Sequence, residues 1–359
     1  MLFETFLKAS LEYFAPNSTF EIRNINSNFA KCSDPLIKQH KGETYVRHCL
    51  ILASTEEEGL LCGLETYHYK LEEEEKPTKN VFYISKVDTS TALERYKGLT
   101  ARIVQSYISS LPCDSSIFIF ARAQPQYLFA NSAENKCKKI LNDRDLVYWW
   151  LSVLNKVTRS DTNLIEGWWS IPGIDDLNTA LIEIGAKKRG WKPADHIQWN
   201  YGTSYLPEAQ ADLVIPRFDD DAKARLLKSV KEKMTVSDFW NLLSIGEECG
   251  SGKVSGFFEL RLKRSKKEDT FDASETKQIE LKNSDFIAFW NKLMSLDFHD
   301  QKSRKISTEI VKNEIKQVVP FVIQSSLAPS SSTVDTKPPV DKRPAVNMLS
   351  SGLIKRKKI

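Results

Sequence analysis

The chain has 359 residues, with 51 Lys+Arg against 47 Asp+Glu and a hydrophobic fraction of 41%. This composition excludes wholesale disorder and leaves ample material for a large core. Glycine and proline, 14 residues each, are too few for a collagenous or low-complexity chain. The formal charge of +4 is unevenly spread: residues 337–359 carry seven basic side chains against Asp341, so the preceding body is slightly acidic at −2.

The first segment, Met1–Tyr13, mixes acids with apolar residues and offers no small-residue cleavage site, so no signal peptide is expected. Apolar stretches such as Val318–Ile323 are far shorter than the ~20 residues a bilayer span needs. Cys32, Cys49, Cys62, Cys113, Cys137 and Cys249 lack framework spacing and read as reduced, mostly buried thiols of an intracellular protein with no membrane partner. His48–Cys49 and Cys62/His68 could meet across paired strands, but no CxxC or helical histidine pair supports a metal site, and none is predicted.

Residues 45–54 and 60–71 are β-branched, aromatic and apolar, and Glu56-Glu57-Glu58-Gly59 between them predicts a hairpin. A strand is expected at 81–88. A helix follows at 92–111, where Leu93, Tyr96, Leu99, Ile103, Val104, Tyr107 and Leu111 form one stripe. Pro112-Cys113-Asp114 ends it, and the wholly apolar Ser116–Ala121 reads as a buried central strand. From residue 125 helices and tryptophan dominate: Asp143 can cap a helix over Leu146–Val157, and another is expected near 175–187. Tryptophan density there suggests a pocketed helical layer. Asp219-Asp220-Asp221 precede a helix at 222–233. Thr235 or Ser237 starts another, and Val254–Leu262 reads as a strand.

Residues 325–359 lack aromatics and are expected to be a disordered basic tail, separate from a folded body at 1–324. Lys342-Arg343, eleven residues, then Lys355-Arg356-Lys357-Lys358 has the layout of a bipartite nuclear localisation signal. A solubilising basic end is the alternative reading. Val346, Met348, Leu349, Leu353 and Ile354 form an apolar segment that could fold on a partner.

Known phosphate-binding patterns fail. In Gly246–Gly256 the pair Gly252-Lys253 is followed by Val254 rather than Ser or Thr. The pyrophosphate grip of GNAT acetyltransferases would here open with Glu247, an acid that repels phosphate. From the residues alone, helix capping and dipole complementarity explain the Asp219–Asp221 triplet better than catalysis or metal binding does.

Four segments occur together in one order: Ser85-Lys86-Val87-Asp88-Thr89; Phe120-Ala121-Arg122 leading into Gln126-Tyr127-Leu128-Phe129; Tyr148-Trp149-Trp150; and Asp219–Arg225. With the basic tail they resemble the fungal histone H3 lysine acetyltransferases of the regulator-of-Ty-transposition type, structural cousins of the metazoan CBP-type enzymes. The likeness is strongest over residues 81–227. It implies an α/β fold: a central mixed, mostly antiparallel sheet flanked by helices, forming an acetyl-CoA-binding CBP-like core. The implied activity is acetyl transfer from acetyl-CoA to lysine of histone H3, aided by a histone chaperone, in replication-coupled nucleosome assembly and genome stability, and in the nucleus.

By this resemblance Asp221, with Asp220 beside it, orients and deprotonates the substrate lysine, and Trp150 and Tyr127 line its tunnel. Val87, Asp88, Thr89, Phe120, Ala121, Arg122 and Trp150 contact the cofactor, and Arg95, Lys97, Lys138 and Lys139 are available for its phosphates. Lys223 matches a self-acetylated lysine, and no metal is implied. The implied partners are histones H3–H4 and an Asf-type chaperone docking on residues 346–354. Only Pro112–Ser115 stand where the family carries a longer loop, which counts against a NAP-type chaperone, and Ala222 stands where proline is common. The acidic body gives no reason to expect direct DNA binding. A catalytically silent nuclear scaffold for histones or chaperones is the competing expectation.

Overall fold

A computed structural model describes residues 2–159, 165–230, 233–250, 252–263 and 279–327. The predicted tail beyond Leu327, with its localisation and docking segments, lies outside the described residues. In chain order the elements are α1 (Leu2–Leu11), β1 (Thr19–Ser27), β2 (Ala30–Lys31), β3 (Glu43–Thr55), β4 (Gly59–Glu72), β5 (Lys79–Thr89), α2 (Leu99–Ser110) and β6 (Ser115–Ala121). There follow α3 (Asp143–Leu154), β7 (Ile165–Ser170), α4 (Leu177–Glu183), β8 (Ile197–Tyr201), α5 (Ala211–Val214), α6 (Ala222–Ser229) and α7 (Val236–Ser244). The last are β9 (Gly256–Leu262), β10 (Glu280–Leu281), α8 (Asn283–Met294), α9 (Gln301–Glu314) and β11 (Phe321–Gln324).

The strands form one sheet in the order β10-β1-β3-β4-β5-β6-β9-β7-β8, with β11 also on β1 and β2 on β3. Pairing is mostly antiparallel, and parallel at β5/β6, β7/β8 and β1/β10. This is the expected mixed sheet. Side chains of a strand alternate between faces, and here each face has its own core. On β3, Ile51 and Ala53 join the cluster under α1–α3, whereas Leu50 and Leu52 join the one under α8 and α9. On β6, Ile117 and Ile119 face the first of these cores and Phe118 faces a third, built around Phe218. Burial on both faces is why Ser116–Ala121 reads as an unbroken apolar run.

Some boundaries differ from the sequence expectations. The helix predicted over 92–111 is two pieces, a 3₁₀ turn at Glu94–Tyr96 and α2, because Gly98 adopts φ 92° at the N-cap. The cap of α3 is Asn142, whose side chain accepts from the Asp145 amide at 2.9 Å, rather than Asp143. Thr235 caps α7. The tryptophan-rich region is only partly helical: Trp168 and Trp169 lie on β7 and Trp199 on β8. Their rings pack against sheet neighbours, Trp169 on Tyr201 and Phe258.

Candidate active site

The site begins where two parallel strands part. β5 and β6 pair from Asn80↔Ser115 to Ile84↔Ile119. Beyond that point β5 runs on against β4, while β6 ends against β9. The divergence opens a pocket of about 580 Å³, a size suited to a cofactor or small substrate. Its walls are Ser85–Thr89, the first turn of α2 with Gly98, the segment Phe120–Pro125 with Tyr127, Lys138–Leu141, Trp149 and Trp150 of α3, and Asp220 and Arg225.

A bulge prepares the first station along β5. The β4/β5 register passes from Glu65↔Lys86 to Thr66↔Ile84, leaving Ser85 as the extra residue. Adjacent side chains normally point to opposite faces, and a bulge re-aims them. Here Ser85 Oγ and Lys86 Nζ both approach Glu65 Oε2, at 3.4 and 2.5 Å. Ser85 also donates to Asp220 Oδ2 at 2.5 Å, and Lys86 Nζ lies 3.7 Å from the same oxygen. The Asp220 side chain keeps 39% of its surface exposed. Burial, the charges of Asp221 and Asp220, and a hydrogen bond to Asp220 push the Tyr83 phenol well above its ordinary range.

Asp221 is placed otherwise. It is fully buried and caps α6, accepting from the Lys223 amide at 2.8 Å, while Lys223 Nζ approaches its other oxygen to 3.1 Å. Burial raises the Asp221 carboxyl, and the ammonium and amide of Lys223 oppose that rise only in part. Neither Asp221 nor Lys223 reaches the pocket wall. Asp219 is almost wholly exposed.

The second station is Asp88, at the end of β5. Its Oδ2 accepts from the amides of Tyr127, Leu128 and Phe129 at 2.7, 2.8 and 3.2 Å. Its Oδ1 accepts from the Thr89 amide and from Lys138 Nζ, each at 2.8 Å. The side chains of Asp88 and Lys138 are each only 4% exposed. Asp88 thus pins residues 127–129 against the sheet, and Lys138, which also lines the pocket, pairs with it. The same turn brings in Tyr127, whose hydroxyl donates to the Arg122 carbonyl. Burial and the charge of Asp88 raise the Tyr127 phenol. Trp150 is buried and meets Trp149 edge-to-face, ring centres 4.9 Å apart.

Among the remaining predicted residues, Val87, Thr89, Phe120, Ala121, Arg122, Lys97 and Lys139 reach the wall. Arg95 does not: it turns to Glu57 and to the Pro16 carbonyl. Arg122 and Arg225 share Glu248, which takes Arg225 through both oxygens at 2.6 Å. Cys62 touches the pocket, but burial pushes its thiol up to about 12, so it is no thiolate nucleophile. Among the described residues no three His, Cys, Asp or Glu side chains form a metal-holding group. The suggested histidine–cysteine meeting does not form: His48 contacts Glu65, and His68 contacts Asn80.

Sequence reasoning missed Glu65, Lys86, Arg225 and Glu248 as parts of this site. Glu65 did leave a trace, as a lone acid within the apolar run Leu60–Leu71. A buried acid in a central strand demands a partner.

Comparison with known proteins bears on the fold and the family. The solved structure of Rtt109 from Aspergillus fumigatus superposes with a TM-score of 0.70 over 90% of this chain and 100% of that one, at 21% identity, and so shares the fold. The histone acetyltransferase rtt109 of Schizosaccharomyces pombe is 32% identical over 165 residues, 41% of each chain. The histone acetyltransferase RTT109 of Candida albicans is 30% identical over 193 residues, 51% of this chain and 48% of the relative. The chain therefore spans less than half the length of these curated relatives. A family profile, the histone acetyltransferase KAT11-type domain, matches residues 94–314. That match takes in more than half of the chain and most of the pocket, and the chain belongs to the family of the histone acetyltransferase KAT11-type domain.

Proposed function

We propose that the protein transfers the acetyl group of acetyl-CoA to a lysine side chain of histone H3. The observation that carries this reading is a carboxylate, Asp220, on the wall of a cofactor-sized pocket that also presents Trp150, Tyr127 and the first turn of α2. Acetyl-CoA supplies an acetyl group activated as a thioester. Gly98–Ala101 offer free helix N-terminal amides, which suit phosphate. Lys139, Arg122 and Arg225 add positive charge on the same wall.

The chemistry asked of the chain is to deliver a neutral amine, since a free lysine has a pKa of about 10.4. Asp220 accepts a hydrogen bond and then the proton from the incoming ammonium, while Trp150 and Tyr127 exclude water and favour the uncharged form. Asp220 suits this role better than Asp221 because its carboxylate is partly exposed and oriented by Ser85. Asp221 is committed to capping α6 and to Lys223. Self-acetylation of Lys223 would remove that ammonium, which opposes the rise burial imposes on Asp221, and so would push the Asp221 carboxyl further up.

Asp220→Asn tests the reading: kcat/KM on H3–H4 should fall by roughly 10²–10⁴, the range for a lost general base. Coenzyme A should still raise the melting temperature of the variant. An undiminished rate would remove Asp220 from the chemistry. A wild-type protein that coenzyme A fails to stabilise at saturation would favour the silent scaffold, because binding to the folded state must raise stability.

Residues 337–359 are proposed to carry the nuclear address, and 346–354 the docking segment for an Asf-type chaperone. Deleting 337–359 should leave coenzyme A binding intact and weaken chaperone docking. Equal docking by both forms would end that role.

A further inference from the structure

Glu65 has no accessible surface and no part in the chemistry above, yet it organises the charges beside Asp220. Its Oε1 lies 2.6 Å from His48 Nε2, and its Oε2 lies 2.5 Å from Lys86 Nζ. His48 is itself held by stacking on Tyr67, ring centres 4.4 Å apart. Lys86 Nζ meets Glu65 on one side, the Ser85 hydroxyl at 3.2 Å on another and Asp220 Oδ2 at 3.7 Å on a third, with the Trp290 ring centre 5.7 Å away.

The 3.7 Å separation is the telling quantity. It is close enough for attraction but beyond a hydrogen bond, whereas 2.5 Å is a full charge-assisted contact. A lysine ammonium of the protein therefore stands beside the carboxylate proposed to receive the substrate's ammonium, an identical chemical group. One flexible side chain could close the gap by small torsional changes.

We infer that Glu65, backed by His48, is a tether that holds Lys86 off Asp220 and so keeps Asp220 open to the substrate lysine. Lys86 is then a resident competitor, and Glu65 is a positioning residue that acts through it. The tether rests on the reading that Asp220 receives the substrate amine. It adds that access to Asp220 is set from the buried side of β4, by a residue that never touches substrate.

The experiment is steady-state kinetics of the full chain on histone H3–H4, with acetyl-CoA saturating. Glu65→Gln keeps the shape but weakens the hold on Lys86. It should raise the KM for histone roughly tenfold, with kcat and the KM for acetyl-CoA little changed, the pattern of lost substrate binding. Combining it with Lys86→Met removes the competitor and should return the histone KM to near the wild-type value. Lys86→Met alone should lower that KM. Melting temperatures measured alongside report whether each variant folds. A double variant no better than Glu65→Gln, or a Lys86→Met variant with a raised histone KM, overturns the tether. If Glu65→Gln does not fold, Lys86→Met alone decides. An undiminished Asp220→Asn rate would instead overturn the role of Asp220, so the two failures are distinguishable.

Discussion

Asp88 and Asp220 both meet β5, three residues apart along the strand at the points of contact, and their carboxylates are used in opposite ways. Asp88 takes four backbone amides and a buried lysine, so its acceptor capacity is spent inside the protein. Asp220 takes the Ser85 hydroxyl, stands near Lys86 and keeps open surface. A carboxylate whose lone pairs are occupied holds a shape, whereas one left partly open can exchange a proton. The pocket thus joins a rigid station that positions Tyr127 to a more open one, the carboxylate proposed to take the proton.

This contrast can be broken by substitution. Asp88→Ala strands the Lys138 ammonium and several amides without their acceptor, and should cost about 3–5 kcal/mol of stability, as broken buried ion pairs do. Asp220→Asn, at a partly exposed carboxylate with one hydroxyl donor, should cost only about 1 kcal/mol, whatever it does to the rate. Urea unfolding of the two variants measures both. Equal losses would mean that the two stations do the same structural work.

The smaller expected effect is a pH dependence at Asp221. Its folded pKa is raised, so between the ordinary aspartate value of 3.8 and the folded value the native state binds more protons than the unfolded one. Stability from this group therefore falls as pH rises through that window, and is regained as pH falls. Glu65 has the opposite sign. Burial would raise its carboxyl, but His48 and Lys86 hold it below the ordinary range, so its stabilising contribution is lost only as pH falls below about 4.5. The melting temperature of the wild type minus that of Asp221→Asn should rise as pH is lowered from neutrality toward the ordinary aspartate value of 3.8. A flat difference would show that the Asp221–Lys223 pair sets no net proton preference.

Much of the scaffold was legible in the residues. The hairpin of β3 and β4 and the strand β6 announced themselves by β-branched apolar runs, because burial of both strand faces leaves little room for polar residues. Strands β7 and β8 were hidden, since tryptophan packs equally well on a helix or a strand and no turn chemistry marked the difference. Strand β1 was not predicted: Arg23, Asn24 and Asn26 interrupt its apolar pattern. At the site, the motif Ser85–Thr89 was visible as a whole, but the roles within it were not. Asp88 and Lys138, expected beside a cofactor, do line the pocket, but only the structure shows that they pair with each other and that Asp88 fastens a loop to the sheet.

The sequence by itself determined the segregation of charge into a slightly acidic body and a strongly basic end, because charge counts need no coordinates. It also indicated a central sheet with helices against it, because strand and helix periodicities are local, whereas the mixed pairing was implied only by the family resemblance and is a property of the fold. Only the tertiary structure decided which of two adjacent acids faces the pocket. Asp220 and Asp221 are equal in chemistry, and their difference arises from the cap at α6 and from the bulge at Ser85, both of which depend on contacts between segments far apart in the chain. The contact between Glu65 and Lys86 has the same origin, since a cross-strand register is fixed by the fold and not by either residue alone.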